Sequence, residues 1–158
     1  FRSVLDLGCG TGLTGFELRH VSEKLYGVDV SKSMLLKAKE KNIYHDLTHA
    51  DLTDYLQNND LNYDLFIATD VFIYIGDLSK IFSLIRTKNK SSATLAFSTE
   101  HTSKDDIVLE KSGRFSHSKE YIDNLAKQFG YTLSYFDLHE LRKEDENMIF
   151  GGFYLFDF

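Results

Sequence analysis

The stretch Ser3-Val4-Leu5-Asp6-Leu7-Gly8-Cys9-Gly10-Thr11-Gly12 constrains this chain more than any other. A mostly apolar run carrying one acid leads into glycine at every second position, then into a helix-like segment. Gly8, Gly10 and Gly12 can take backbone angles closed to other residues and put no side chain in a ligand's way. The free N–H groups of the following helix start add donors beside them. Twenty-one positions after Gly8, Asp29 closes the run Leu25-Tyr26-Gly27-Val28. A carboxylate at the tip of that second strand is placed to bind both hydroxyls of a ribose. Together the two features point to a nucleoside-binding α/β domain.

The rest of the chain continues the alternation. Ser3–Leu7 reads as a buried strand. Gly12–Val21 reads as a helix with Leu13, Phe16 and Leu18 inward, and Lys24–Val30 as the second strand. Ser31 is an N-cap for a helix over Lys32–Lys41, where Met34, Leu35 and Ala38 share a face. Ile43–Ala50 holds a third strand, Thr53–Asn58 a short helix, and Asn58-Asn59-Asp60 a turn. Tyr63–Thr69 is a fourth strand, followed by a helix around Asp77–Arg86 and a fifth strand over Ala93–Ser98. His101–Ser118 is the least regular segment, a long loop. Ser118–Phe129 is a helix with Tyr121, Ile122, Leu125 and Ala126 on one face, ended by Gly130. Tyr131–Leu141 and Met148–Phe156 are the last strands, paired antiparallel because only the polar stretch Arg142–Asn147 separates them. The pattern predicts one α/β domain, doubly wound, with a mostly parallel seven-stranded sheet closed by a C-terminal hairpin. Ligands on such sheets sit beyond the carboxyl ends of the strands, where the winding reverses.

Composition narrows the partners. A net charge of −6 over 158 residues does not suit a broad nucleic-acid-binding face. No apolar run reaches the roughly 20 residues of a membrane span, and no signal peptide is visible. The single cysteine, Cys9, fits a reducing compartment, so a cytoplasmic location is expected. His45 and His49 lie in a strand or loop, not on a helix face, and no metal site is expected. The sequence opens at Phe1, almost inside the first strand, and reads as a piece of a longer chain.

Three families use a glycine turn of this kind. A phosphate loop fails, because Phe16 and Glu17 stand where Lys-Ser/Thr is needed after Gly10 and Gly15. The dinucleotide spacing is met only at Gly10, Gly12 and Gly15, two residues late, and Asp6 is an awkward neighbour for a pyrophosphate. The third fits without a shift. Asp6-Leu7-Gly8-Cys9-Gly10-Thr11-Gly12 resembles motif I of class I S-adenosylmethionine-dependent methyltransferases. That resemblance implies a Rossmann-like fold in which Asp6, Gly8, Cys9, Gly10 and Gly12 wrap the methionine half of the cofactor. Gly27-Val28-Asp29-Val30-Ser31 resembles the ribose segment, with Asp29 as the ribose acid and Val30 beside it. Met34 matches a position that packs on adenine, and Ala50-Asp51-Leu52 the adenine edge, where Asp51 accepts from the exocyclic amine and the Leu52 N–H meets the ring. Tyr63–Asp70 resembles motif IV, whose end at Thr69 borders the methionine moiety and the acceptor. A narrower resemblance links Asp70–Leu78 and Ser112–Ser118 to the catalytic domain of predicted methyltransferases carrying tetratricopeptide repeats. Enzymes that methylate base amino groups carry a proline pair at motif IV; this chain has no proline and reads Asp70-Val71-Phe72, so a nucleic-acid acceptor is not expected.

The expected activity is direct methyl transfer from S-adenosylmethionine, leaving S-adenosylhomocysteine, to a small-molecule or protein acceptor. Asp70 and Tyr74 lie just past the fourth strand on the acceptor side, and His117 in the long loop is a third candidate catalytic residue. Four of these residues have a structural alternative: Tyr74 as a half-buried aromatic, His117 as a surface histidine capping the next helix, Met34 as core, Asp51 as a helix cap. Glu100 and His101 end the fifth strand on the ligand edge, and Cys9 reads as packing, not as a nucleophile. A non-catalytic binding module and a nicotinamide-dependent oxidoreductase are the competing readings.

Overall fold

Alternation along the first strand sorts the molecule into two layers. In β1 (Ser3–Leu7), Leu5 and Leu7 face the larger core, while Val4 belongs to a smaller one on the opposite face. The computed structural model describes residues 1–144 and 147–158. β1 pairs in parallel with β2 (Lys24–Asp29) on one side and β4 (Leu65–Ala68) on the other. β3 (Asp46–His49) lies outside β2, and β5 (Thr94–His101) outside β4. The parallel order is therefore β3-β2-β1-β4-β5, and the winding reverses beside β1. A long hairpin, β8 (Thr132–Glu144) and β9 (Asn147–Asp157), closes the far edge, with β9 antiparallel to β5.

The helices cover both faces. α3 (Leu52–Asn58), α4 (Ser79–Lys88) and α5 (Lys119–Phe129) bury Leu56, Phe82, Ile85, Ile122 and Leu125 in the larger core. There Phe97 of β5 stacks on Tyr154 of β9 at 5.0 Å, so aromatic packing fastens the hairpin to the parallel sheet. α1 (Leu13–Leu18) and α2 (Lys32–Glu40) take the other face. Two ends are those the sequence called for: Ser31 Oγ accepts from the Met34 N–H, and Gly130 ends α5 with left-handed backbone; the start of α5 is capped by Ser118, whose Oγ accepts from the Tyr121 N–H.

Several expectations are corrected. The segment expected as a loop over His101–Ser118 contains a small hairpin, β6 (Ile107–Leu109) and β7 (Phe115–His117). β7 pairs in parallel with Glu100 and His101, taking up the edge of β5 beyond the end of β4. In α1 the inward face is not that of Leu13 and Phe16. Gly15 is its buried residue, Leu18 packs on the smaller core, and Leu13 and Phe16 are 71% and 43% exposed. The third strand shrinks to Asp46–His49, because Ile43 and Tyr44 turn into the smaller core instead of extending the sheet. The polar stretch Arg142–Asn147 is mostly ladder, with Arg142 opposite Ile149 and Lys143 opposite Met148. Asp145 and Glu146 lie outside the described residues.

Candidate active site

The carboxyl ends of the parallel strands open on a cavity of about 840 Å³, a size that suits a nucleoside with room beside it. Its walls come from the glycine turn, the tip of β2 with the start of α2, the segment after β3, and the segment after β4. The three glycines of the turn do different jobs. A Cβ on Gly8 would lie 2.4 Å from Val71 Cγ2, and one on Gly12 2.9 Å from Tyr44 Cε2. Those two make room for the protein's own side chains, and Gly12 is not on the cavity wall. All three have a positive φ, but Gly10 is unobstructed: the nearest atom to a Cβ there is Met34 Sδ at 3.8 Å. A side chain at Gly10 would therefore project towards the cavity, where a ligand can lie against bare main chain.

Asp29 organises this turn. Its Oδ2 accepts from the Gly10 N–H at 2.8 Å and its Oδ1 from the Ser31 N–H at 2.7 Å. The carboxylate ties the glycine turn to the tip of β2 and still lines the cavity, each oxygen keeping a second lone pair. Asp51 combines the two readings of its sequence: Oδ1 caps α3 through the N–H groups of Thr53 and Asp54, at 2.8 and 3.1 Å, while the residue lines the cavity. Val30, Met34 and Leu52 make the apolar walls on that side; Met34 is off the core and on the cavity.

Asp6 is placed otherwise than expected. It is 1% exposed, absent from the cavity wall, and accepts from the Tyr44 hydroxyl at 2.7 Å. The alternation of β1 turns its side chain under the glycine turn, beneath the cavity and out of contact with it. Burial pushes its carboxyl up to about 6, with the nearby Asp29 charge adding to the rise and the Tyr44 hydrogen bond opposing it. Cys9 lines the cavity, but burial, then the charges of Asp6 and Asp29, push its thiol up to about 12, which suits packing and not nucleophilic attack.

On the other side, Thr69, Asp70 and Tyr74 all line the cavity. Asp70 sits at φ +56°, a strained value for a residue with a side chain, and its N–H donates to Ser98 Oγ at 3.1 Å. Tyr74, on a single 3₁₀ turn over Phe72–Tyr74, is 64% exposed at the cavity mouth rather than half-buried. His117 is corrected on both of its readings. It is fully buried, off the cavity wall, and Ser118, not His117, caps α5. Its Nε2–H faces the carbonyls of Ile75 and Gly76 at 3.0 and 2.8 Å, bracing the segment that carries Tyr74 and Ile75. Burial holds its imidazole below the ordinary range, and the buried Nδ1 has no partner among the described residues, as a neutral ring permits. Glu100 is also off the cavity, buried against Arg142 at 2.6 Å and Arg114 at 3.5 Å.

Leu13, Thr14, Val71 and Ile75 line the cavity without having been singled out in the sequence. Thr14 Oγ1 lies 2.6 Å from Thr69 Oγ1, joining the start of α1 to the end of β4. Nothing in the spacing of residues 14 and 69 signals that contact; the fold alone makes it. The resulting wall holds three carboxylates, Asp29, Asp51 and Asp70, and among the described residues no lysine, arginine or histidine.

A sequence family described as a methyltransferase domain matches residues 2–148. The chain belongs to that methyltransferase family. The malonyl-[acyl-carrier protein] O-methyltransferase of Buchnera aphidicola (subspecies Baizongia pistaciae) is 32% identical over 97 residues, 61% of this chain and 39% of that protein. The methyltransferase domain described here thus spans well under two thirds of that relative's length. An 18S rRNA (guanine-N(7))-methyltransferase of Arabidopsis thaliana is 41% identical over 51 residues, 32% of this chain and 18% of that protein. Among solved structures, the N-methyltransferase NodS of Bradyrhizobium japonicum, in complex with S-adenosylhomocysteine, superposes with a TM-score of 0.77 at 17% identity, covering 99% of this chain and 77% of that one. That likeness is one of fold: the methyltransferase domain has the same doubly wound architecture.

Proposed function

We propose that this domain binds S-adenosylmethionine and directs methyl transfer to a small-molecule or protein acceptor. One observation carries the reading. A single cavity collects an unobstructed Gly10, a turn-organising Asp29 and a half-free Asp51, at strand tips in the order that the resemblance requires. The donor set fits the cofactor's chemistry. Three carboxylates favour a ligand that is positive at sulfur and ammonium, and would repel a pyrophosphate.

Asp29 would hold the ribose hydroxyls, Asp51 Oδ2 the adenine amine, and Met34, Val30 and Leu52 the faces of the ring. Gly10 and its neighbours would hold the methionine half. When bound, the cofactor supplies a methyl group on a sulfonium leaving group. Asp70 and Tyr74 line the wall where an acceptor would enter, and their work is to orient it; placement alone is worth several kcal/mol, roughly 7–11 in the best cases. Tyr74 and Leu13, both exposed at the mouth, would pack on an apolar or planar acceptor body.

The test is calorimetry of S-adenosylmethionine and S-adenosylhomocysteine with the folded chain, followed by label transfer to panels of amines, alcohols, carboxylic acids and peptides. Binding with turnover is expected. Binding without turnover on any panel would favour the binding module, and no binding would overturn the proposal. Asp51 gives a sharper check. Asp51→Asn should keep the α3 cap, because Asn caps as well as Asp, and hold unfolding stability within about 0.5 kcal/mol. With the amide oxygen spent on the cap, its NH₂ would face the adenine amine, and affinity for S-adenosylhomocysteine should fall about tenfold. Unchanged affinity would leave Asp51 as a cap only.

A further inference from the structure

Three glycines, from the turn, α1 and β2, lack a side chain over one patch, and the Tyr44 ring packs against all three, joined by Leu25 at Gly15 and by Leu47 and Cys9 at Gly27. Beyond the Gly12 approach described above, a Cβ on Gly15 of α1 would lie 2.2 Å from the Tyr44 hydroxyl oxygen, and one on Gly27 of β2 3.0 Å from Tyr44 Cε1. Neither Gly15 nor Gly27 has a positive φ, so at those two positions glycine provides space and not backbone freedom. The slot steers the phenol to Asp6 Oδ2 at 2.7 Å, beneath the cofactor turn. A residue needed only to fill the smaller core would not require a polar tip aimed at a buried acid.

We propose that Tyr44 is a positioning residue for the cofactor: its hydroxyl keeps Asp6 ionised under the glycine turn, and so sets the pH below which the turn loses its hold on a ligand that carries an ammonium group. This rests on the reading of the cavity as an S-adenosylmethionine site. The groups that face Asp6 are few. Asp29 from β2 brings a second negative charge, Cys9 a neutral thiol, α1 the Gly15 backbone N–H, and the segment before β3 the Tyr44 hydroxyl. No positive charge is among them, so Tyr44 is the side chain that favours the ionised form, working against burial and Asp29. Asp29 in turn holds the Gly10 N–H, which places both acids on the same turn.

The experiment is the dissociation constant of S-adenosylhomocysteine, measured by calorimetry from pH 5 to 8.5 on the wild type and on Tyr44→Phe, with a thermal melt of each at every pH. Phenylalanine keeps the ring in its slot and removes only the hydroxyl. The wild type is expected to lose affinity as pH falls below about 6, and Tyr44→Phe to show the same fall about one pH unit higher. The variant should then bind about threefold more weakly near pH 6.5, approach about tenfold weaker at pH 5, and match the wild type at pH 8.5. Superimposed curves, or a loss of equal size at every pH as a packing defect would give, overturn the proposal while leaving the cofactor reading intact. A wild type that binds nothing at any pH overturns both. Should Tyr44→Phe not fold, the wild-type curve decides: an affinity flat between pH 8.5 and 5 overturns the proposal, and a fall centred near 6 supports it.

Discussion

Replacing Asp29 with alanine is expected to weaken S-adenosylhomocysteine binding by at least about a hundredfold, and Asp29→Asn by nearly as much. The carboxylate accepts from two backbone N–H groups at once, Gly10 at 2.8 Å and Ser31 at 2.7 Å. Hydrogen bonds to a charged acceptor are worth roughly 1.5–3 kcal/mol each, and a donor left without a partner adds its own cost. Alanine orphans both donors and frees Gly10, the residue whose main chain must lie flat against the ligand. Asparagine keeps the shape but offers one acceptor oxygen and one NH₂, so one of the two N–H groups meets another donor. Any contribution of the acid to ribose binding is lost in addition. Calorimetry against the wild type, with a melt to show that both variants fold, decides the matter. Affinity within threefold of wild type for Asp29→Ala would mean that the turn holds its shape without this carboxylate.

What the sequence could and could not reveal about this site follows from the range of the signals. β1, the glycine turn and Asp29 are legible because each is local: an apolar run, residues that permit positive φ, and an acid at the end of the next apolar run. That these five strands run parallel follows from simple alternation with helices. The inward face of α1 escapes hydrophobic periodicity, which scores leucine and phenylalanine and is blind to a glycine buried by a neighbouring ring, as Gly15 is by Tyr44. The β6–β7 hairpin was invisible for a different reason: strands of three residues are too short to show a period, and β7 exists because β4 ends before β5 does. His117 reads as a loop residue, either catalytic or a surface cap, because a histidine between two serines has a polar local pattern. Its partners are the carbonyls of Ile75 and Gly76, some forty residues earlier, and no local pattern connects them.

Asp6→Asn is expected to make the protein more stable and a poorer binder at once. The Asp6 carboxyl is pushed from an ordinary 3.8 up to about 6, chiefly by burial. A carboxyl whose folded value lies above its unfolded one favours the fold only when protonated. That contribution is complete below about 3.8 and is lost as pH rises through about 6. At pH 7.5 the ionised acid therefore costs about 3 kcal/mol relative to one that titrates normally. Asparagine has nearly the same shape and no charge to desolvate, and its amide oxygen can accept from the Tyr44 hydroxyl in place of Oδ2. The melting temperature at pH 7.5 should rise by about 5–10 °C, and the gain should shrink through pH 5 and vanish only below about pH 3, where the wild-type acid is protonated in both states. Over the same range S-adenosylhomocysteine affinity should fall at pH 7.5 and converge with the wild type at pH 5, because the variant is a permanent copy of the protonated form. A folded state that tolerates a buried charge beneath its glycine turn, at a cost that is a sizeable fraction of a domain's whole stability, is using that charge for something other than folding. An Asp6→Asn protein that is less stable than wild type at pH 7.5, or that binds as tightly there, would remove the grounds for that conclusion.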